Sequence, residues 1–538
     1  MSQVSRIGVL TAILFFAAAL TPSLLPRPWL LQGLMAGMAM AAGYGVGAGT
    51  AWLWRYLELR ELQGRARRIS LAGAGIGVLA LAGVFLWRMP EWQNSIRSLM
   101  EMAAVEDAFR WRVTGLAIAV AMGVLLLVSI IAWLCRRAAA ALATLVPRRI
   151  AVVASVALVA LLLVSLINGF AIKRALRAAD AGFAALDRMT EDRLGRPTEP
   201  LASGSARSLI DWQLIGRRGK TFIADGPTQE EIAGFRNAPA KQPLRVYVGL
   251  AAGDTPEVRA ELALAELKRI DAFSRRVLIV AVPTGTGWID PSGVDPIEYL
   301  HGGDTAIVTT QYSYLPSWMT LLIDPDRSRR EAKALFKAVY DHWTELPREN
   351  RPRFYLFGLS LGALGSEAST DVISMLADPI QGALWSGAPF PSTIRNSLTA
   401  SRNPGSPEWL PGVRDGSFAR FSTQDNALDI PGAEWGPLRI VYLQYASDPM
   451  AFFSFDLACR EPDWLKGERG PDVSPYVRWY PLVTMLQVGA DLPVATNVPL
   501  GYGHNYSPST YIDGWVSVTD PTGWNSSEID RLKEKFDY

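Results

Sequence analysis

Hydrophobic positions crowd into the first third of the chain and alternate with polar ones afterwards. Five early stretches are apolar and nearly free of charge: 7–20, 29–54, 69–87, 113–134 and 150–172. A helix crosses a bilayer with about 20 apolar residues, and the last four stretches reach that length. The pattern predicts an N-terminal all-α transmembrane bundle of about five spans over residues 1–180. The first stretch is shorter. With Arg6 ahead of it and Ala17, Ala18 and Ala19 near its end, it also fits a cleaved signal segment, an alternative that leaves the downstream topology unchanged.

Residues 181–240 read as a linker and lead-in. From 241 to 538 short β-like runs alternate with amphipathic helical windows. The runs are "RVYVGL" (245–250), "RVLIVAVP" (276–283), "TAIVTTQYS" (305–313), "RFYLFG" (353–358), "GALWSGAP" (382–389) and "RIVYLQY" (439–445). Helical windows at 256–272 and 328–343 fall between them. Strands separated by helices predict an α/β domain with a mostly parallel sheet, which places ligands at the carboxyl ends of its strands.

Composition narrows the function. The net charge is +2, which gives no electrostatic case for nucleic acid. Cys135 and Cys459 are the only cysteines and stand far apart, so neither a disulfide framework nor a thiolate metal site is expected, and no cofactor is implied. Mean hydropathy is positive, +0.14, in keeping with a multi-pass protein of the inner (cytoplasmic) membrane. Arg55, Arg60, Arg65, Arg67 and Arg68 follow the second span, and Arg136, Arg137, Arg148 and Arg149 follow the fourth. Basic loops stay in the cytoplasm, so an odd number of spans delivers the C-terminal domain to the extracytoplasmic side. Lys173, Arg174 and Arg177 argue the other way. The second span carries Gly33, Gly37, Gly43, Gly45, Gly47 and Gly49, a spacing that allows close helix approach, within one chain or between copies in a homo-oligomer.

The chemistry centres on Gly358-Leu359-Ser360-Leu361-Gly362. A G-x-S-x-G between a strand and a helix-compatible run is the setting of a nucleophile elbow. A structural serine in a tight corner is the plainer alternative. In this arrangement the order is Ser, acid, His. His301 and His342 precede the serine, so His504 in "GYGHNYSP" is the expected base unless a non-histidine group serves, with an ordinary loop histidine as the plainer alternative. Asp448 in "RIVYLQYASDP" lies just past a strand's carboxyl end, where the orienting acid belongs, although it also suits a helix cap. An oxyanion hole takes two amides: Leu361 supplies one, and Thr284 or Gly285 in "PTGTGW" the other. "HGGD" (301–304) enters a strand, so it is expected to be a structural turn.

With these residues in place, the chain resembles a bacterial family of membrane-anchored α/β-hydrolases. The likeness is carried by "TPSLLPRPWLLQGL" (21–34), "PTGTGWIDP" (283–291), "EYLHGGDTAIV" (298–308), "QYSYLPSW" (311–318), "GLSLGALGSE" (358–367), "SDP" (447–449) and "GYGH" (501–504). It implies a Ser-Asp-His hydrolase without naming a substrate. Leu359 stands where relatives are expected to carry a polar residue. The expected activity is hydrolysis of an ester through an acyl-enzyme, on an ester or lipid-like small-molecule substrate, with membrane lipid as the other partner; the aromatic runs 311–319 and 450–457 suit an acyl pocket and core packing equally. Acyl transfer by the same residues and a non-catalytic membrane scaffold are the alternatives.

Overall fold

The computed structural model describes residues 4–107, 109–164, 172–189, 194–370 and 377–537. It divides into two compact units. One comprises Met1–Ala179, Phe453–Lys466 and Pro471–Val494, and the other Asp180–Phe452, Gly467–Gly470 and Ala495–Tyr538.

The first unit is helical: α1 (Arg6–Ala19), α2 (Trp29–Tyr56), α3 (Gly64–Leu99), α4 (Arg110–Leu142) and α5 (Arg148–Val164). Among the described residues three helices, α2, α3 and α4, are long and apolar enough to cross a membrane, where the sequence predicts five spans. The difference lies at the two weakest stretches. Helix α1 has 14 residues and rises only about 20 Å, against a hydrocarbon core of about 30 Å. The 150–172 stretch is helical as far as Val164, and 165–171 lie outside the described residues.

Apolar side chains on α3 and α4, such as Ile76, Leu79, Leu126 and Leu127, face outward, which suits lipid contact. Inside the unit, Phe16, Leu20, Met35, Trp92 and Val113 form one apolar cluster. The α2 glycines are mostly occupied within the chain. A Cβ on Gly37 would fall 2.6 Å from that of Val120, and one on Gly43 would fall 2.7 Å from the Phe15 ring. Gly45 and Gly49 have nothing within 4 Å.

The sequence reading runs the hydrolase domain unbroken over 241–538, yet 453–466 and 471–494 pack with the helical unit. Val483 joins its apolar cluster. Asp491, at the end of the helix Val483–Asp491, accepts from Ser23 Oγ at 2.6 Å and from the Leu24 and Leu25 amides. It also pairs with Arg27 Nε at 3.4 Å. The segment "TPSLLPR" is therefore a receptor for a stretch more than 400 residues later in the chain, with separations of 466 to 468 positions.

The second unit is built on seven strands: β1 (Leu244–Val248), β2 (Val277–Val282), β3 (Thr305–Thr310), β4 (Arg353–Leu359), β5 (Gly382–Ser386), β6 (Ala419–Ser422) and β7 (Arg439–Leu443). Their order is β1-β3-β2-β4-β5-β7-β6, and every pairing is parallel. Crossover helices cover both faces of such a sheet, so its strands read as unbroken apolar runs. All of β2, "VLIVAV", is buried. Six strands coincide with the predicted runs. The seventh, β6, is a four-residue edge strand, "ARFS", too short and polar to register as one.

Register brings the functional ends together. Leu359 pairs with Ser386, Ser386 with Leu443, and Val282 with Gly358. The loops that follow β2, β4, β5 and β7 therefore leave the same edge of the sheet side by side.

Candidate active site

Ser360 sits between β4 and the helix Leu361–Ser369, with φ 60° and ψ −126°. A non-glycine residue in that region stores on the order of 1–3 kcal/mol of strain. The flanking glycines explain how the turn is accommodated. A Cβ on Gly358 would lie 2.4 Å from the Gly362 carbonyl carbon, and one on Gly362 would lie 2.1 Å from the Val282 oxygen. Only glycine permits this backbone approach. The Ser360 amide donates to the Ser386 carbonyl at 3.0 Å, tying the elbow to β5.

Asp448 follows β7 through a turn in which its amide donates to the Tyr445 carbonyl. Its carboxylate is fully buried and well supplied with donors. Oδ1 accepts from the Met450 amide at 2.8 Å. Oδ2 accepts from His504 Nδ1 at 2.7 Å and from the Tyr506 hydroxyl at 2.9 Å. His504 is held in turn by its amide, which donates to the Ala495 carbonyl, and by the preceding Gly503 amide, which donates to Ser447 Oγ. An imidazole that donates Nδ1–H to this carboxylate has its lone pair on Nε2, the tautomer a general base needs. Ser360 Oγ and His504 Nε2 are both buried, and neither has a hydrogen-bond partner among the described residues.

The amides expected at the oxyanion position differ in their commitments. Leu361 is the first residue of its helix, where an α-helix leaves its amides without intrahelical acceptors. The Thr284 amide donates to the Trp288 carbonyl and the Gly285 amide to Ser317 Oγ, each at 2.9 Å. The Val282 and Pro283 carbonyls face Gly362, so the loop carrying Thr284 abuts the first turn of the elbow helix.

The other histidines lie elsewhere. His301 ends the helix Pro291–Leu300 at the amino end of β3, opposite the elbow, with Nε2 against Thr519 Oγ1 at 3.0 Å. Burial, with nearby arginines, pushes its pKa down to about 3. His342 packs its ring edge-on against Phe273 and meets Glu345 at 3.3 Å. The aromatic runs divide. Tyr312, Leu315 and Phe452 are buried in the sheet unit, whereas Phe453 and Phe455 belong to the helical one. Among the described residues no group of three or more His, Cys, Asp or Glu is placed to hold a metal ion.

Two contributors escape sequence reasoning, Tyr506 and Gly387. Tyr506 follows the turn closed by the Asn505 amide on the Tyr502 carbonyl, and nothing in "HNY" marks it as a neighbour of Asp448. Gly387 has φ 53°, and its amide donates to the Leu443 carbonyl. Nothing in "GALWSGAP" distinguishes it from other strand-end glycines.

Residues 244–532 match the model of a family described as alpha/beta-hydrolase family, and residues 20–227 match the model of that family's N-terminus. The chain belongs to this alpha/beta-hydrolase family. No curated protein and no solved structure matched it.

Proposed function

We propose that this α/β-hydrolase is a membrane-anchored serine esterase. The observation that carries the reading is the 2.7 Å bond from His504 Nδ1 to a fully buried Asp448 carboxylate, set at the same sheet edge as a serine on a strained G-x-S-x-G elbow. Ser360 Oγ attacks the ester carbonyl carbon while His504 Nε2 takes its proton. Asp448 orients the imidazole and stabilises the imidazolium that forms. The C–O bond breaks as His504 returns the proton to the leaving alcohol, leaving an acyl-Ser360. Water, deprotonated by His504, then releases the acid. The Leu361 amide stabilises the oxyanion at each stage. Thr284 or Gly285 joins it by exchanging its present acceptor for the oxyanion. The substrate class is an ester with an acyl chain, consistent with apolar N-terminal helices that suit membrane anchoring.

The test is labelling of the full-length protein with a fluorophosphonate probe, together with turnover of p-nitrophenyl esters of graded chain length. Ser360→Ala and His504→Ala should each abolish labelling and turnover. His342→Ala should leave turnover within about three-fold, since its ring serves a helix end remote from the elbow. Labelling that persists in Ser360→Ala would remove the assignment.

A further inference from the structure

We propose that Tyr506 is a positioning residue of the triad, whose hydroxyl holds the Asp448 carboxylate and shares the oxygen that faces His504. The inference rests on the serine-hydrolase reading above and adds a fourth member to its machinery.

The Tyr506 hydroxyl lies 2.9 Å from Asp448 Oδ2, the same oxygen that accepts from His504 Nδ1 at 2.7 Å. One carboxylate oxygen thus receives two donors, while the Met450 amide occupies Oδ1. The phenol is in its donating form: burial first, then the Asp448 charge, pushes its pKa well above the usual tyrosine value. The ring is fixed on several sides. It stacks on Tyr445 at 4.4 Å between centroids and approaches Tyr511 at 6.3 Å. It also meets the His504 ring edge-on at 6.0 Å.

A tyrosine that merely filled space here would do as well without its oxygen. The hydroxyl instead lies where it draws charge from the oxygen facing the imidazole. A carboxylate that accepts an additional hydrogen bond is a weaker partner for an imidazolium, so the Tyr506 hydroxyl weakens the hold of Asp448 on the charged ring. The other charged group acting on this pair is Arg395, whose Nη1 donates to the Ala451 carbonyl and whose Nε donates to Gln444. Arg395 attracts the Asp448 carboxylate electrostatically. Tyr445 and Tyr511 are the remaining titratable neighbours, both buried.

Removing the hydroxyl should therefore tighten the hold of Asp448 on the charged imidazole. The rate of fluorophosphonate labelling, followed against pH in the intact protein, reads this without a known substrate. In Tyr506→Phe the acid limb should move up by about one pH unit, with the plateau rate reduced about ten-fold. Incorporating 3,5-difluorotyrosine at position 506 strengthens the donor and keeps the ring, so the limb should move down. Thermal melting confirms that each variant is folded. An unmoved acid limb in both variants overturns the proposal, whatever the plateau does. If wild-type protein shows no labelling that depends on Ser360, the triad reading itself fails, and the role of Tyr506 fails with it. Labelling that depends on Ser360 with an unmoved limb removes Tyr506 alone.

Discussion

Gly387 and His504 are packed so closely that a Cβ on the glycine would lie 2.4 Å from imidazole Cε1 and 2.8 Å from Nδ1. The bare backbone at the end of β5 thus forms the wall against which the histidine ring rests. The same glycine has φ 53°, so an added side chain would be strained even without the ring. The imidazole is consequently fixed by its bond to Asp448, by its amide to Ala495 and by this wall.

Gly387→Ala should displace the ring by a fraction of an ångström to an ångström. A misplacement of that size costs on the order of 10²-fold in rate. Expected is a folded protein whose fluorophosphonate labelling slows by about that factor. A labelling rate within a few-fold of wild type would show that the imidazole has room to spare on this side.

What the sequence makes legible here is what local chemistry dictates. The strands are visible because a parallel sheet covered on both faces demands unbroken apolar runs, and β6 is missed because four residues at an edge need not obey that demand. Ser360 is legible because the elbow needs Gly358 and Gly362 for backbone clearance. His504 is reached by order along the chain and Asp448 by its place just past a strand's carboxyl end, and the structure sets them 2.7 Å apart. Tyr506 and Gly387 depend on which loops lie side by side, a property of strand order that no local window contains. The partnership of Asp491 with Ser23 and Arg27 is similarly hidden, since an aspartate in "VGADLP" carries no mark of a partner more than 460 residues earlier. The count of spans suffers from the opposite problem: apolarity is plain, but whether a 14-residue helix crosses depends on length.

Asp290 gives a pH prediction. It is buried at the head of the helix Pro291–Leu300, where its side chain accepts from the Ser292 amide at 3.0 Å. Burial raises its pKa from 3.8 to about 7, while hydrogen bonds from Ser292 and Tyr511 act in the opposite sense. The folded state therefore binds the proton more tightly than the unfolded chain. Its contribution to stability is full below the unfolded value and is lost as pH rises through about 7. Asp290→Asn keeps a cap oxygen and has no charge to bury. The variant should gain stability relative to wild type on going from about pH 4 to about pH 8, on the order of 2–4 kcal/mol. Melting curves across that range decide it, and parallel pH profiles for the two proteins would refute it.

The Arg27–Asp491 pair predicts non-additivity. Both side chains are fully buried, and burial pushes the Asp491 pKa up to about 6 and that of Arg27 down. Removing one member of such a pair strands the other, at a typical cost of about 3–5 kcal/mol. Asp491→Asn should incur a cost of that size, because Arg27 remains charged and enclosed. Arg27→Met together with Asp491→Asn should be less destabilising than the two single changes added, since neither charge is left alone. Thermal melting of the intact protein in detergent measures the cycle. Strict additivity would mean that the two groups do not feel each other.

The last prediction concerns the side of the membrane on which the sheet unit lies. The α2–α3 junction holds Arg55, Arg60, Arg65, Arg67 and Arg68, and the α4–α5 junction holds Arg136, Arg137, Arg148 and Arg149. Helices α3 and α4 separate these clusters. If both helices cross, the two clusters face the same compartment, and basic junctions favour the cytoplasm. This step does not depend on whether α1 crosses. After Arg149 the sequence runs without a charge from 150 to 172, enough residues for one more crossing. Such a crossing carries Ser360, Asp448 and His504 to the extracytoplasmic side. Lys173, Arg174 and Arg177 oppose it, as three positive charges against four at the other end of the same stretch. Reporters fused at Val146 and after Tyr538 isolate this one crossing. A cytoplasmic fluorescent protein should be bright at Val146 and dark after Tyr538, with alkaline phosphatase active only after Tyr538. The same compartment reported at both positions would mean that 150–172 does not cross, which would put Ser360 and His504 on the cytoplasmic side.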